Sequence, residues 1–73
     1  MLHLNRIKVV LAEKRRSNNW LAQAVGANYV TVSRWCTNHA QPKLVMLYRI
    51  AQVLEVEMGE LLRPMNEVED KEN

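Results

Sequence analysis

The sequence contains one cysteine, two glycines and two prolines among its 73 residues. Because one cysteine cannot form an intramolecular disulfide, Cys36 gives no indication of an oxidising compartment. The low content of glycine and proline, together with 48% apolar residues, argues against a disordered chain. A chain of this length forms one small domain, which buries about 60% of the surface that its unfolded state exposes.

Long apolar runs are also missing. No run approaches the ~20 residues that a membrane-spanning helix requires. The first fourteen residues are amphipathic and charged, whereas a signal peptide has an unbroken apolar centre. We therefore expect a soluble, cytoplasmic protein that has no membrane partner.

The groups that enzymes use for catalysis are scarce. The body of the chain has no paired carboxylates, no Ser/His/Asp set and no glycine-rich phosphate loop. The two histidines, His3 and His39, are far apart in the sequence, and neither has a second metal ligand nearby. We expect no enzymatic activity, no metal, no cofactor and no small-molecule ligand.

Acidic residues are almost absent from the first three quarters of the chain. Residues 1–54 contain eight Lys or Arg and one acid, Glu13, whereas residues 55–73 contain seven acids and two basic residues. The formal net charge of +2 therefore hides a basic body and an acidic end. This separation indicates an anionic partner for the basic body.

Apolar residues recur at helical spacing in five segments, and strand-like alternation is missing, so the sequence predicts an all-α domain. Ser17 and Asn28 have the chemistry of helix N-caps, and Gly26 and Asn38 suit the left-handed ends of helices. Leu44, Met58, Leu61 and Leu62 are expected to face inward. The predicted helices are about Asn5–Lys14, Asn18–Val25, Tyr29–Cys36, Lys43–Leu54 and Glu57–Leu62.

The second and third predicted helices have the spacing of a helix-turn-helix. Ala22 is small where another helix must approach closely, and Gly26 supplies the positive φ of a short turn between helices. Tyr29, Val30, Ser33 and Arg34 are left on the outer face of the third helix. The predicted turn and core of the motif are Leu21, Ala22, Val25, Gly26, Val32 and Trp35.

This pattern resembles the phage-repressor helix-turn-helix family, also called Xre or Cro-type, over residues 5–64. The segment TVSRW, Thr31–Trp35, resembles the core of that family's recognition helix, and Gln41–Leu62 resembles its two closing helices. The resemblance implies a compact five-helix, repressor-like DNA-binding domain over residues 1–64. Residues 65–73 are then expected to form an acidic, flexible tail.

The resemblance also implies roles for individual side chains. Tyr29, Val30 and Arg34 match positions that read bases, and Ser33 lies beside them. Arg34 has the geometry for a bidentate contact with guanine, and Val30 suits a thymine methyl. The residues expected to contact DNA phosphates are Asn18, which matches a family position, and the lesser candidates Thr31, Asn38, His39 and Lys43.

Family members are mostly repressors or antitoxins and are usually dimeric, so the resemblance implies a sequence-specific transcriptional regulator that binds double-stranded DNA as a homodimer. Two alternatives stay open: an antitoxin-type autoregulator, and a module that keeps the fold, binds a protein partner and does not recognise specific DNA. The exposed apolar residues Tyr29 and Val30 favour the second alternative, and the basic body argues against it. The expected dimer surface is Val56, Met58, Leu61, Leu62 and Met65.

Overall fold

The computed structural model describes residues 3–67, whose backbone forms four α-helices and two short 3-10 helices. The α-helices are α1 (Ile7–Glu13), α2 (Asn18–Val25), α3 (Tyr29–Cys36) and α4 (Leu44–Leu54), and the 3-10 helices are Met58–Leu61 and Met65–Glu67. The all-α prediction is confirmed. Within the described residues, no helix is both long enough and apolar enough to cross a membrane.

The limits of α2 and α3 coincide with the predicted ones because their ends are set by local chemistry. The Ser17 side chain accepts a hydrogen bond from the Trp20 backbone N–H at 3.0 Å, and Asn28 accepts one from Thr31 at 2.8 Å. Each bond satisfies a donor that the first turn of a helix leaves free. Gly26 ends α2 with φ 74°, the left-handed conformation expected from the sequence.

The prediction of five α-helices is wrong at the last helix, which is a single 3-10 turn over Met58–Leu61. Glu57 and Glu60 form a capping box at this one turn, in which each side chain accepts a hydrogen bond from the backbone N–H of the other residue. Leu62 then adopts an extended conformation, because its backbone pairs with Asn5 in an antiparallel bridge. The same pairing keeps Asn5 outside α1, which begins two residues later than predicted.

The core lies where α1, α2, α3, α4 and the first 3-10 helix meet. Its buried residues include five of the six predicted for the turn and core of the motif, and the sixth, Gly26, is exposed in the turn. The largest fully buried side chains come from every one of these elements: Ile7, Val10, Leu21, Val32, Ile50 and Leu61.

Two predicted inward residues are exposed instead. Leu44, the first residue of α4, is 72% exposed, whereas Met46 and Leu47 in the same turn pack into the core. Leu62 is 45% exposed, because its extended backbone breaks the helical periodicity that would have turned it inward. Met65 and Asn66, at the start of the predicted tail, belong to the second 3-10 helix, and residues 68–73 lie outside the described part of the chain.

The first described residues are held between α3 and the closing 3-10 helix. Backbone hydrogen bonds join Arg6 N–H to the Leu61 carbonyl at 2.8 Å and Arg63 N–H to the Leu4 carbonyl at 2.9 Å. On the other side, the Asn5 N–H donates to the side chain of Asn38 at 3.0 Å. Residues 4–6 therefore connect the end of α3 to the end of the domain.

Gly26 provides a test of the turn between α2 and α3. A Cβ built on it would meet no atom within 4 Å, so a substitution would cost backbone strain without a steric clash. We expect Gly26→Val to lower the free energy of unfolding by about 1–2 kcal/mol, because a β-branched residue is disfavoured at positive φ. Thermal or urea unfolding of the purified variant measures the change.

Gly59 supplies the matched control, since its surroundings are equally open and its φ lies outside the left-handed region. Gly59→Val should therefore be clearly less destabilising than Gly26→Val. Equal losses of stability in the two variants would contradict the assignment of strain to the turn.

Candidate nucleic-acid interface

The outer face of α3 is exposed at its N-terminal end. Tyr29 is 54% and Val30 65% exposed, and Arg34, one turn later, is also exposed. Ser33 lies between them and is half-buried. Residues at spacings of three and four share one face of a helix, so these four side chains form one surface. We call Tyr29, Val30, Ser33 and Arg34 the α3 face.

The orientation of the α3 face follows from the residues that the opposite side of the helix buries. Val32, Trp35 and Cys36 pack into the core, where α3 contacts α2 and α1. The helix is about 12 Å long at 1.5 Å per residue, which is close to the ≈12 Å width of the major groove in B-DNA. The exposed residues near its N-terminus can therefore enter the groove first.

Asn18 joins the start of α2 to the end of α3. Its side-chain oxygen accepts a hydrogen bond from the Cys36 Sγ at 3.3 Å. Burial raises the pKa of the Cys36 thiol and outweighs the opposing charge of Lys8, so the thiol stays a protonated donor at neutral pH. Asn18 is half-buried.

The loop from Thr37 to Lys43 carries further polar groups beyond the end of α3. The Thr37 hydroxyl lies 3.1 Å from the Ser33 carbonyl, to which it donates, and 2.8 Å from His39 Nδ1. His39 and Lys43 are exposed. Lys43 is the N-cap of α4, but no side chain caps this helix, so its first N–H groups are available to an anion.

Thr31, another expected phosphate contact, is half-buried on α3, and its N–H is used by the Asn28 cap. Asn38, by contrast, does not belong to the exposed surface, and its expected phosphate contact is wrong. Its side chain is only 6% exposed, and both ends of its amide are hydrogen-bonded to Asn5. The sequence identified the residue through its suitability for the left-handed conformation, which the structure has at φ 62°.

The segment of the chain that contains the α3 face has a basic charge balance, which favours an anionic partner. Residues 14–54 contain no Asp or Glu, whereas they contain six basic residues. Glu13 forms an ion pair with Arg6 at 4.0 Å. This pair is long and open to solvent, so it contributes little to stability. The six basic residues are Lys14, Arg15, Arg16, Arg34, Lys43 and Arg49.

Trp20 and Arg16 form a second feature, at the start of α2. The Arg16 guanidinium lies 4.5 Å from the centre of the Trp20 ring, a cation–π contact. Trp20 is half-buried against the core, and the sequence left its role open. The cleft beside it has a volume of ≈160 Å³, below the ≈300 Å³ of small-molecule sites.

The predicted dimer surface is only partly available. Leu61 is 0% exposed, so its assignment to a dimer contact is wrong: the residue is part of the core. Val56 and Met58 are half-buried and pack against the same core. Leu62 and Met65 remain exposed.

Sequence reasoning missed two features of this region. Leu44, Val45 and Tyr48 lie at helical spacing near the start of α4 and are all exposed. Gln41 hydrogen-bonds to two buried asparagines, the nearby Asn38 and the distant Asn5, and a long-range contact such as the second leaves no periodic signal. In the part of the chain that the structure describes, no group of three potential ligands could hold a metal ion.

Comparison with known proteins agrees with the geometry. The family model for the Cro/C1-type helix-turn-helix DNA-binding domain matches residues 6–67. A crystal structure of a candidate DNA-binding protein from Bacteroides fragilis is 52% identical in sequence and superposes with a TM-score of 0.81, covering 86% of this chain and 100% of that one. No curated protein matches. With its capped helices, glycine turn and family match over nearly the whole length, the chain belongs to the Cro/C1-type helix-turn-helix DNA-binding domains.

Proposed function

We propose that this protein is a sequence-specific transcriptional regulator that reads the major groove of double-stranded DNA with α3. The observation that carries the proposal is the exposed α3 face, which stands on a helix fixed by two capped ends and lies in an acid-free segment. A domain seated in the groove excludes other proteins from the same DNA, so the expected regulatory effect is repression. The proposal includes no catalytic activity.

The side chains of the α3 face have complementary recognition chemistry. Arg34 presents the guanidinium fork that matches guanine O6 and N7, and Val30 presents an apolar surface for a thymine methyl. Tyr29, at the first position of the helix, reaches a base edge or the neighbouring phosphate. Ser33 is short and hydrogen-bonds at close range.

Phosphate contacts come from both sides of α3. Asn18 stands at the start of α2, where free N–H groups favour an anion. His39 and Lys43 follow α3, and Lys43 adjoins the uncapped start of α4. Thr31 is half-buried and contributes only at the edge of this surface. These groups hold the helix in register and carry little sequence information.

A homodimer is part of the proposal. Two copies related by a two-fold axis place two recognition helices about one helical turn apart, ~34 Å, on a palindromic site. Leu62 and Met65 supply exposed apolar side chains outside the core for this contact, with the flanks of the half-buried Val56 and Met58.

The decisive experiment is selection of bound sequences from random duplex DNA by the purified protein. We expect enrichment of a palindrome with half-sites about 10 base pairs apart from centre to centre. Enrichment of a single half-site without symmetry would contradict the dimer, but it would still support sequence-specific DNA binding by α3. Absence of enrichment would overturn sequence-specific recognition and favour the alternative of a protein-interaction module.

Arg34→Ala tests the assignment of the reading residue. We expect it to weaken binding to the selected site by about 1–3 kcal/mol and to relax the preference at one base position in each half-site, because a bidentate contact is lost. Fluorescence anisotropy with single-base variants of the site measures both effects. Arg49→Ala, which removes an exposed arginine from α4, is the matched control. An equal loss of affinity in that variant would mean that Arg34 acts only through its positive charge and does not read a base.

Lys43→Ala tests the assignment of a phosphate contact. We expect similar losses of affinity for the selected site and for random DNA, because a phosphate contact is independent of sequence. The slope of log K against log salt should fall in magnitude by ~0.9, the value for one phosphate. A loss restricted to the selected site would make Lys43 a base reader instead.

A further inference from the structure

Three side-chain amides form a network beneath the loop that follows α3. Asn5 and Asn38 are 3% and 6% exposed. Gln41, an exposed residue of the loop, bridges them: its nitrogen donates to Asn38 Oδ1 at 3.0 Å, and its oxygen accepts from Asn5 Nδ2 at 2.7 Å. The loop is thereby joined to the first residues of the chain.

The first half of this loop has its own backbone hydrogen bonds. The N–H groups of His39 and Ala40 both donate to the Arg34 carbonyl, at 2.9 and 3.2 Å, which closes the end of α3. The second half, residues 41–43, has one backbone hydrogen bond, from the Leu47 N–H to the Lys43 carbonyl at 2.8 Å, which joins Lys43 to α4. Within the described residues, the backbone N–H groups of Gln41 and Lys43 donate to no carbonyl, and Pro42 has no N–H. The Gln41 side chain therefore links the residues before Lys43 to the buried asparagines.

The network also bears on α3 itself. The second hydrogen of Asn5 Nδ2 goes to the Trp35 carbonyl at 3.0 Å, in the last turn of α3. The buried Asn5 amide thus binds both the end of the proposed recognition helix and Gln41. Gln41 is the residue that precedes Pro42 and Lys43. Asn5 and Gln41 thus form a hydrogen-bonded connection between the end of α3 and the residues before α4.

We propose that Gln41 is a positioning residue for DNA binding: it holds Lys43 and the uncapped start of α4 at the height of a phosphate while α3 lies in the groove. This inference rests on the proposed function of the α3 face. Gln41 itself does not contact DNA in this proposal. Its effect reaches the duplex through Lys43, so its loss changes backbone contacts and leaves base recognition unchanged.

The variant Gln41→Ala should fold normally. Asn38 Oδ1 still accepts from the Asn5 N–H, and Asn5 Nδ2 still donates to the Trp35 carbonyl, so no buried group loses its last partner. We expect a melting temperature close to that of the wild type. Gln52→Ala, which truncates an exposed glutamine on α4, is the matched control in every measurement.

The first readout is the mobility of the loop in the free protein. In Gln41→Ala, the ¹⁵N order parameter of the Lys43 amide should fall from about 0.85 towards 0.6, the value typical of a flexible backbone. It should stay unchanged in Gln52→Ala. An unchanged order parameter at Lys43 in Gln41→Ala would overturn the inference.

The second readout is binding to a 30-base-pair random duplex and to the selected site over a range of salt concentrations. In Gln41→Ala, both affinities should fall by the same factor, and the salt slope should decrease in magnitude by up to ~0.9. In a Lys43→Ala background, Gln41→Ala should add little further loss, because the two residues act through one contact. Additive losses, or an altered base preference, would overturn the inference.

The wild-type protein in the same assay separates the two proposals. Salt-dependent binding by the wild type together with an unaffected Gln41→Ala variant would contradict only the positioning role. Absence of salt-dependent binding by the wild type would overturn the proposed function, and the role of Gln41 with it.

Discussion

The hydrogen bonds between Asn5 and Asn38 connect the two ends of the domain through its middle. The backbone of Asn5 pairs with Leu62 on one side. On the other side, the Asn5 side chain accepts a hydrogen bond from the Ile7 N–H and donates one to the Trp35 carbonyl. Removing the Asn38 side chain would leave the backbone N–H and carbonyl of Asn5 without these partners, and removing the Asn5 side chain would do the same to the Ile7 N–H, at a cost of about 1–3 kcal/mol for each group. The position of α3, and therefore of the α3 face, depends on this junction.

A domain of this size has few buried side chains, and this one uses two of its buried positions for asparagines. An apolar pair there would bury more hydrocarbon but could not end α3 in the left-handed conformation while also binding an extended segment. The polar junction selects one arrangement of the ends, since each amide has partners in one geometry only. The proposed recognition of bases requires rigidity around α3, because a reading side chain must be held within about 0.5 Å of its productive geometry.

The sequence predicted the features that depend on neighbouring residues. Ser17, Asn28 and Gly26 determine the ends of α2 and α3 locally, and both helices were predicted to the residue. Two of the errors arose where distant segments meet: Leu62 is extended because it pairs with Asn5, and Asn38 is buried because the chain start lies over it. Exposure of the α3 face followed from helical periodicity, whereas the role of Gln41 required knowledge of contacts more than thirty residues apart.

The amide junction contains no ionisable group. Its hydrogen bonds keep their donors and acceptors at any pH between the extremes, and dissolved ions do not screen them as they screen paired charges. Ionic strength and acidity can therefore change how strongly the basic surface attracts a polyanion while the scaffold beneath keeps its shape. The molecule separates its electrostatic surface from the neutral contacts that hold it together, so an increase in salt would release a duplex from an intact domain.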